Sequence, residues 1–266
     1  MPLSHKTPAR RWYRGLLSAV GSPIACIGRF CGRFVRQFRD ADRYQFGLVI
    51  ILPGIESQSF LNQSVAWGLA DGGWPGAIEI DDWTTSNAVL FAYHLRGWQR
   101  NLRQAERIAQ RIVAYQNEFP GRPVYLFGHS GGGAVTVLTL EHLPPDRSIT
   151  GAIVLAPAIS RKYPLSKALL HTDHGLWNFW SPLDLFFLGL GTVALGTLDG
   201  RHQVSAGLLG FQEPADLSDT ERQLYQQKLH QIGYSAKMAR AFHLGGHFGC
   251  VNRVFVAEYL APLLRM

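Results

Sequence analysis

Between Val124 and Leu143 the chain passes from a short apolar strand through Gly128-His129-Ser130-Gly131-Gly132 directly into a helix. Few folds tolerate that junction. A strand reversing into a helix within one residue forces Ser130 into a strained backbone conformation. Its neighbours must then be glycines, because a Cβ finds no room there. Such a turn lifts the serine hydroxyl above the carboxyl edge of a sheet. It also points the first, unpaired N–H groups of the helix at that edge.

The rest of the chain supplies the sheet that this junction needs. Phe46–Leu52, Ala77–Asp81, Val124–Phe127, Thr150–Leu155 and Leu176–Trp180 read as short buried strands. Ser57–Leu69, Trp98–Phe119 and Gly131–Leu143 read as helices. Ser218-x-x-Glu221 is a capping box opening a helix to about Ile232, Lys237–Leu244 reads as a last strand and Cys250–Leu264 as a last helix. Strands alternating with helices predict an α/β chain, a mostly parallel sheet with helices on both faces. Arg100, Arg103, Arg107 and Arg111 line one face of the long helix and read as its solvated side.

A serine hydroxyl is a weak nucleophile and needs a base held by a third group. His247, in Gly245-Gly246-His247-Phe248, lies between the last expected strand and helix, so it belongs at the same sheet edge as Ser130. His243 reads as a packed side chain, and His129 as a structural neighbour in the turn. The acid should follow the penultimate strand, which selects Asp184; Asp199, in an Asp-Gly turn, and Asp173, at the wrong strand end, are the other candidates. An oxyanion hole needs two backbone donors. The N–H of Gly131 is one, and the Pro53-Gly54-Ile55 turn offers the N–H of Ile55 as the other.

From about Phe46 to Leu264 these motifs, in this order, resemble the α/β-hydrolase superfamily and its small lipase- or esterase-like members. The resemblance implies a Ser130-Asp184-His247 triad, oxyanion donors at Gly131 and Ile55, no cofactor and no metal. It implies hydrolysis of an ester, thioester or amide through an acyl-enzyme. The expected reaction is cleavage of a carboxylic ester; an acyltransferase or thioesterase on the same triad, or a catalytically silent binding protein, are the alternatives. The first oxyanion segment reads Leu-Pro-Gly where many members carry His-Gly. About twenty residues, Pro157–Leu176, separate the fourth expected strand from the fifth, leaving space for at most a small cap. Leu185, Phe186, Phe187, Leu188, Leu190, Val193 and Leu195 follow Asp184 and either line an acyl site or complete the core. The partner expected is a small-molecule or lipid-like ester.

Composition bounds the remaining classes. With 266 residues, 47% apolar and 17% charged, the chain is no disordered polymer. Its three cysteines build no disulfide framework or metal site. The net charge of +7 is concentrated: residues 1–39 hold eight basic side chains and no acid, leaving 18 basic and 19 acidic residues elsewhere. A domain that is nearly neutral offers no basic stripe for nucleic acid. The boundary is therefore expected near Asp40–Tyr44, with residues 1–43 a basic amphipathic segment and 44–266 the hydrolase-like domain. Ser22-Pro23 opens a helix there, with Ile24, Ile27, Cys31, Phe34 and Phe38 on one face and Arg29, Arg33 and Arg36 opposite. It packs on the domain, contacts an anionic membrane through residues 23–39, or is a cleaved signal. No run reaches the roughly 18 apolar residues of a spanning helix, so a cytoplasmic or peripheral membrane location is expected.

Overall fold

A computed structural model describes residues 8–21, 32–85, 90–191 and 196–265. Six strands form one parallel sheet in the order β2-β1-β3-β4-β5-β6. They are β1 Leu48–Leu52, β2 Ala77–Ile80, β3 Val124–His129, β4 Gly151–Leu155, β5 Leu176–Trp180 and β6 Leu229–Gly233. The helices are α1 Pro8–Gly21, α2 Phe60–Asp71, α3 Phe91–Arg96, α4 Trp98–Glu118, α5 Gly131–Glu141, α6 Ser166–Leu170, α7 Ala206–Leu209, α8 Asp219–Lys228 and α9 Arg253–Phe255. The last of these continues through wider and tighter helical turns at Val256–Leu260 and Ala261–Arg265.

Strands β1, β3 and β4 are buried at every residue, as a sheet covered on both faces requires. Their alternate side chains feed two cores. Val49, Ile51, Tyr125 and Phe127 meet α2 and the C-terminal helical run, whereas Leu48, Ile50, Leu52 and Leu126 meet α4 and α5. The helices after the adjacent strands β1 and β3 thus leave to opposite faces. That divergence opens a crevice at the carboxyl edge between the two strands, where an open α/β sheet places its ligands. The Pro53-Gly54 turn forms one side of it and Ser130 the other.

Three expectations change. The last strand is Leu229–Gly233, paired in parallel with β5, and the helix opened by Ser218 stops at Lys228. An edge strand half open to water shows no continuous apolar run, so Leu229-His230-Gln231 passes for the end of a helix. Residues 237–244 instead hold the 3-10 turn Ala236–Ala241 and an irregular loop. The final helix starts at Arg253, capped by the Asn252 side chain accepting from the Val254 N–H.

The arginine row on α4 is more than a solvated face. Arg107 pairs with Asp81, Arg111 bonds Glu79 at 2.6 Å, and Arg100 donates to the Trp83 carbonyl. These contacts tie α4 to the end of β2; Asp82 is used in accepting from Thr84 N at 3.0 Å.

The N-terminal segment also differs. A helix spans Pro8–Gly21, with a proline at its first position, where the missing N–H costs nothing. The expected start at Ser22-Pro23, with Ile24, Ile27 and Cys31, lies outside the described residues. Gly32–Arg39 is a 3-10 turn that drops Val35 and Phe38 into the core. No helix among the described residues is long and apolar enough to cross a membrane.

Candidate active site

Ser130 sits between β3 and α5 at φ 52°, ψ −117°, a region that costs a residue other than glycine about 1–3 kcal/mol. Neighbouring strands hold it there. Its N–H donates to the Leu155 carbonyl and its carbonyl accepts from Ala158 N, both at 2.9 Å. Two glycines make the turn possible. A Cβ on Gly128 would strike the Gly132 carbonyl and Thr136, and one on Gly132 would strike the backbone carbonyls of Leu52 and Pro53. The expected result of Gly132→Ala is a loss of about 1–3 kcal/mol from overpacking, read as a lower melting temperature. Turnover should fall with it, because the Pro53 turn is pushed off the serine.

The loop after β1 is held through its own backbone. The Pro53 carbonyl accepts from Trp83 Nε1 at 2.6 Å, and the Ile55 carbonyl meets His94 Nδ1 at 3.2 Å. Burial lowers the His94 pKa, consistent with a neutral ring whose Nδ1–H donates. The Gly54 N–H donates to Glu56 Oε1 at 3.2 Å. Ile55 lies against the serine turn, since a Cβ on Gly131 would stand 2.9 Å from Ile55 Cγ2. The left-handed residue of this loop is Ser57, at φ 67°; Gly54 is outside that region.

His247 arrives on the loop before the C-terminal helical run. Its Nδ1 donates to Asp184 Oδ2 at 2.5 Å, with both side chains buried. Its ring lies 4.8 Å from that of His129, the residue before Ser130, and is stacked at 4.8 Å and 22° by Phe187. Burial depresses the His247 pKa below 6.5; the Asp184 hydrogen bond opposes this, and charge on His129 adds to the lowering. The structure therefore pairs His247 with Asp184 and sets the His247 ring against His129, the chain neighbour of Ser130. It leaves the other acids elsewhere. Asp173 accepts from Ser148 Oγ at 2.6 Å near the amino edge of β5, and Asp199 accepts from Ser160 N at 2.9 Å. His243 is packed between the rings of Tyr234 and Phe255, and burial drives its pKa down to about 4.

Glu56 and Cys250 are additions that sequence reading passed over. The His247 carbonyl accepts from His129 Nε2 at 3.1 Å and from Cys250 Sγ at 3.4 Å. Glu56 Oε1 lies 3.9 Å from His129 Nδ1, a charge contact rather than a hydrogen bond. Burial works to neutralise His129, but the Cys250 thiol and Glu56 carboxylate outweigh it and raise its pKa. His129 thus joins the serine turn, the Glu56 loop and the His247 loop. Only its place inside the Gly-His-Ser-Gly motif hinted at this; Glu56 carries no motif beyond following Gly54.

The apolar segment after Asp184 divides. Leu188 is core, Phe187 covers His247, and Leu185 and Phe186 stand open to solvent. Val193 and Leu195 lie outside the described residues, and nothing is described of the Leu190 side chain. The five-residue α6 bridges β4 and β5, so no large cap is inserted there.

Residues 45–182 match the family model described as serine aminopeptidase, S33. The chain belongs to this family of α/β-hydrolases. A 52-residue stretch is 35% identical to monoglyceride lipase from Homo sapiens, covering 20% of this chain and 16% of that protein's length. Among solved structures, this S33 family chain resembles a hydrolase of the α/β superfamily from Xanthomonas campestris, at 16% identity and TM-score 0.42, over 82% of this chain and 98% of that one. It also resembles a lipase-esterase related protein from Clostridium acetobutylicum, at 11% identity and TM-score 0.42, over 82% and 93% of the two chains. A serine nucleophile with an oxyanion hole is typical of S33 members.

Proposed function

We propose that the protein is a serine hydrolase that cleaves a carboxylic ester through an acyl-enzyme. The observation that carries this reading is the buried 2.5 Å hydrogen bond from His247 to Asp184, on a ring beside the strained serine turn. In this reading His247 Nε2 takes the Ser130 hydroxyl proton as Oγ bonds the ester carbonyl carbon. The oxygen gains negative charge and is met by the N–H groups of Gly131 and Ile55. The C–O bond to the alcohol then breaks, and the imidazolium returns its proton to the leaving oxygen. Water, deprotonated by the same ring, attacks the acyl carbon, releases the acid and restores Ser130. Asp184 keeps the proton on Nδ1, so that Nε2 faces the serine, and balances the imidazolium.

Phe187, stacked on His247, and the exposed Leu185 and Phe186 just before it favour an apolar acyl group. A fluorophosphonate probe tests the nucleophile. The folded wild type should be labelled, and Ser130→Ala should not be. A folded wild type that takes no label would sink the enzyme reading and favour a silent binding protein. Product analysis separates the remaining alternatives: free acid indicates hydrolysis, and an acyl group on an added alcohol or thiol indicates transfer. A parallel panel of glyceryl esters and aminoacyl anilides tests whether the relatives' named activities extend to this chain.

The base must be neutral to act. Because burial lowers the His247 pKa from 6.5, kcat/KM should rise with pH along a limb centred below pH 6.5. A pH–rate profile whose acid limb is centred above 7 contradicts this placement.

A further inference from the structure

The helix α1 is inside out relative to an ordinary surface helix. Trp12, Tyr13, Leu16, Leu17 and Val20 recur on one face, which on a globular domain normally turns inward. Here all five are exposed, Trp12 by 63% and Leu16 by 57%. The face that docks carries small and polar residues. Gly15 and Ser18 are its buried positions. Asn252 Nδ2 donates to the Gly15 carbonyl at 3.0 Å, and Ser18 Oγ meets Ser64 Oγ at 3.1 Å. Arg11 pairs with Glu258 at 2.5 Å and Arg14 with Asp71 at 2.8 Å. Polar contacts therefore pin α1 along α2 and the C-terminal helical run, with its apolar face turned to water.

That face is continuous with the rim of the crevice. Trp12 meets Phe242 edge-on at 5.1 Å. Two residues on, Leu244 is 71% exposed, and a Cβ on the next residue, Gly245, would stand 2.6 Å from Leu183 Cδ1. Leu183 leads through Leu185 and Phe186 to Phe187, which covers His247. Of the fifteen exposed large apolar side chains among the described residues, five belong to α1 and five to this rim. Patches this concentrated mark an interaction surface. The charge specifies the partner. Eight basic and no acidic side chains lie in residues 1–39; Arg11 and Arg14 are paired with Glu258 and Asp71, Arg10 stands exposed on α1 itself, and the remainder of the chain sums to −1.

We propose that α1 and the Leu183–Phe187/Leu244 rim form one surface that lies on an anionic lipid bilayer. The helix inserts Trp12, Leu16, Leu17 and Val20 about as deep as the headgroup–acyl boundary, as interfacial helices do. The crevice then opens toward the membrane. Its orientation adds to the proposed function by naming where the apolar ester comes from; the docking itself needs no catalysis. Contact with lipid is thus assigned to α1 and the rim; within the described part of residues 23–39, Val35 and Phe38 are taken up by the core.

The test uses full-length Ser130→Ala, which leaves lipid unconsumed, sedimented with phosphatidylcholine vesicles with and without phosphatidylglycerol. Binding should be at least tenfold tighter with the anionic lipid and should weaken with salt, since exposed charges are screened over roughly 8–10 Å near physiological ionic strength. Leu16→Ser/Leu17→Ser/Val20→Ser should lower binding at least tenfold. In the otherwise wild-type chain it should leave the melting temperature and turnover of a short soluble ester unchanged. Leu183→Ser/Leu244→Ser should weaken binding independently. Equal binding to both vesicles, wild-type-like binding by the triple variant, or no vesicle binding overturns the proposal. A protein that ignores vesicles but forms a dimer broken by the triple variant assigns the face to a second copy. Vesicle binding without fluorophosphonate labelling upholds docking and rejects only the hydrolase reading.

Discussion

Ser130→Ala and His247→Ala are each expected to abolish turnover of short p-nitrophenyl esters while the protein stays folded. The loss should be on the order of 10⁴–10⁶ in kcat, the range seen when a member of a serine triad is removed. The double variant should be little worse than either single one. Without the base the hydroxyl is not activated, and without the hydroxyl the base has nothing to activate. Steady-state kinetics and thermal melts on the three variants check this. Losses that multiply, or near-normal activity in either single variant, would show that the two side chains do not act as a unit. The hydrogen bonds that hold the serine turn run through the Ser130 backbone, so removing its hydroxyl leaves them in place.

Asp184→Asn should cost about 10⁴ in kcat. An amide can turn its NH₂ toward Nδ1, which then keeps its lone pair and puts the proton on Nε2, where the serine needs an acceptor. It also removes the charge that balances the imidazolium. Asp173→Asn should leave kcat unchanged, because Asp173 serves Ser148 near the amino edge of the sheet. Asp199→Asn should spare kcat as well, since an asparagine oxygen still accepts from the Ser160 N–H. A large kinetic loss in Asp199→Asn, with Asp184→Asn near normal, would move the orienting acid further along the chain.

The legible part of this protein is the part written in local signals. Gly128-His129-Ser130-Gly131-Gly132 between an apolar run and a helix admits one geometry, and the strand, turn and helix stand there. Ser59 and Ser218 cap helices by hydrogen bonds spanning two or three residues, close to where sequence reading starts those helices. Strand β5 occupies Leu176–Trp180 as read, because four of its five residues are large and apolar and its first four are buried. Edge strand β6 escaped the same rule, since water on part of its surface permits His230 and Gln231.

What the sequence alone determined is the fold class and the turn around Ser130, because each is signalled locally. His247, by contrast, is picked by its place after an expected strand, which the structure moves to Leu229–Gly233. Tertiary structure decided the rest. It determined that His247 meets Asp184, 63 residues away, and that Arg107 and Arg111 reach back to the end of β2. It placed Glu56 beside His129 and Cys250 on the His247 carbonyl, contacts with no spacing to announce them. It also determined which face of α1 turns inward. Periodicity finds the apolar face of a helix, but it carries no sign. Whether that face meets the core or the outside depends on what the distant surface offers. Here Asp71, Glu258, Ser64 and Asn252 offer polar partners to the opposite face.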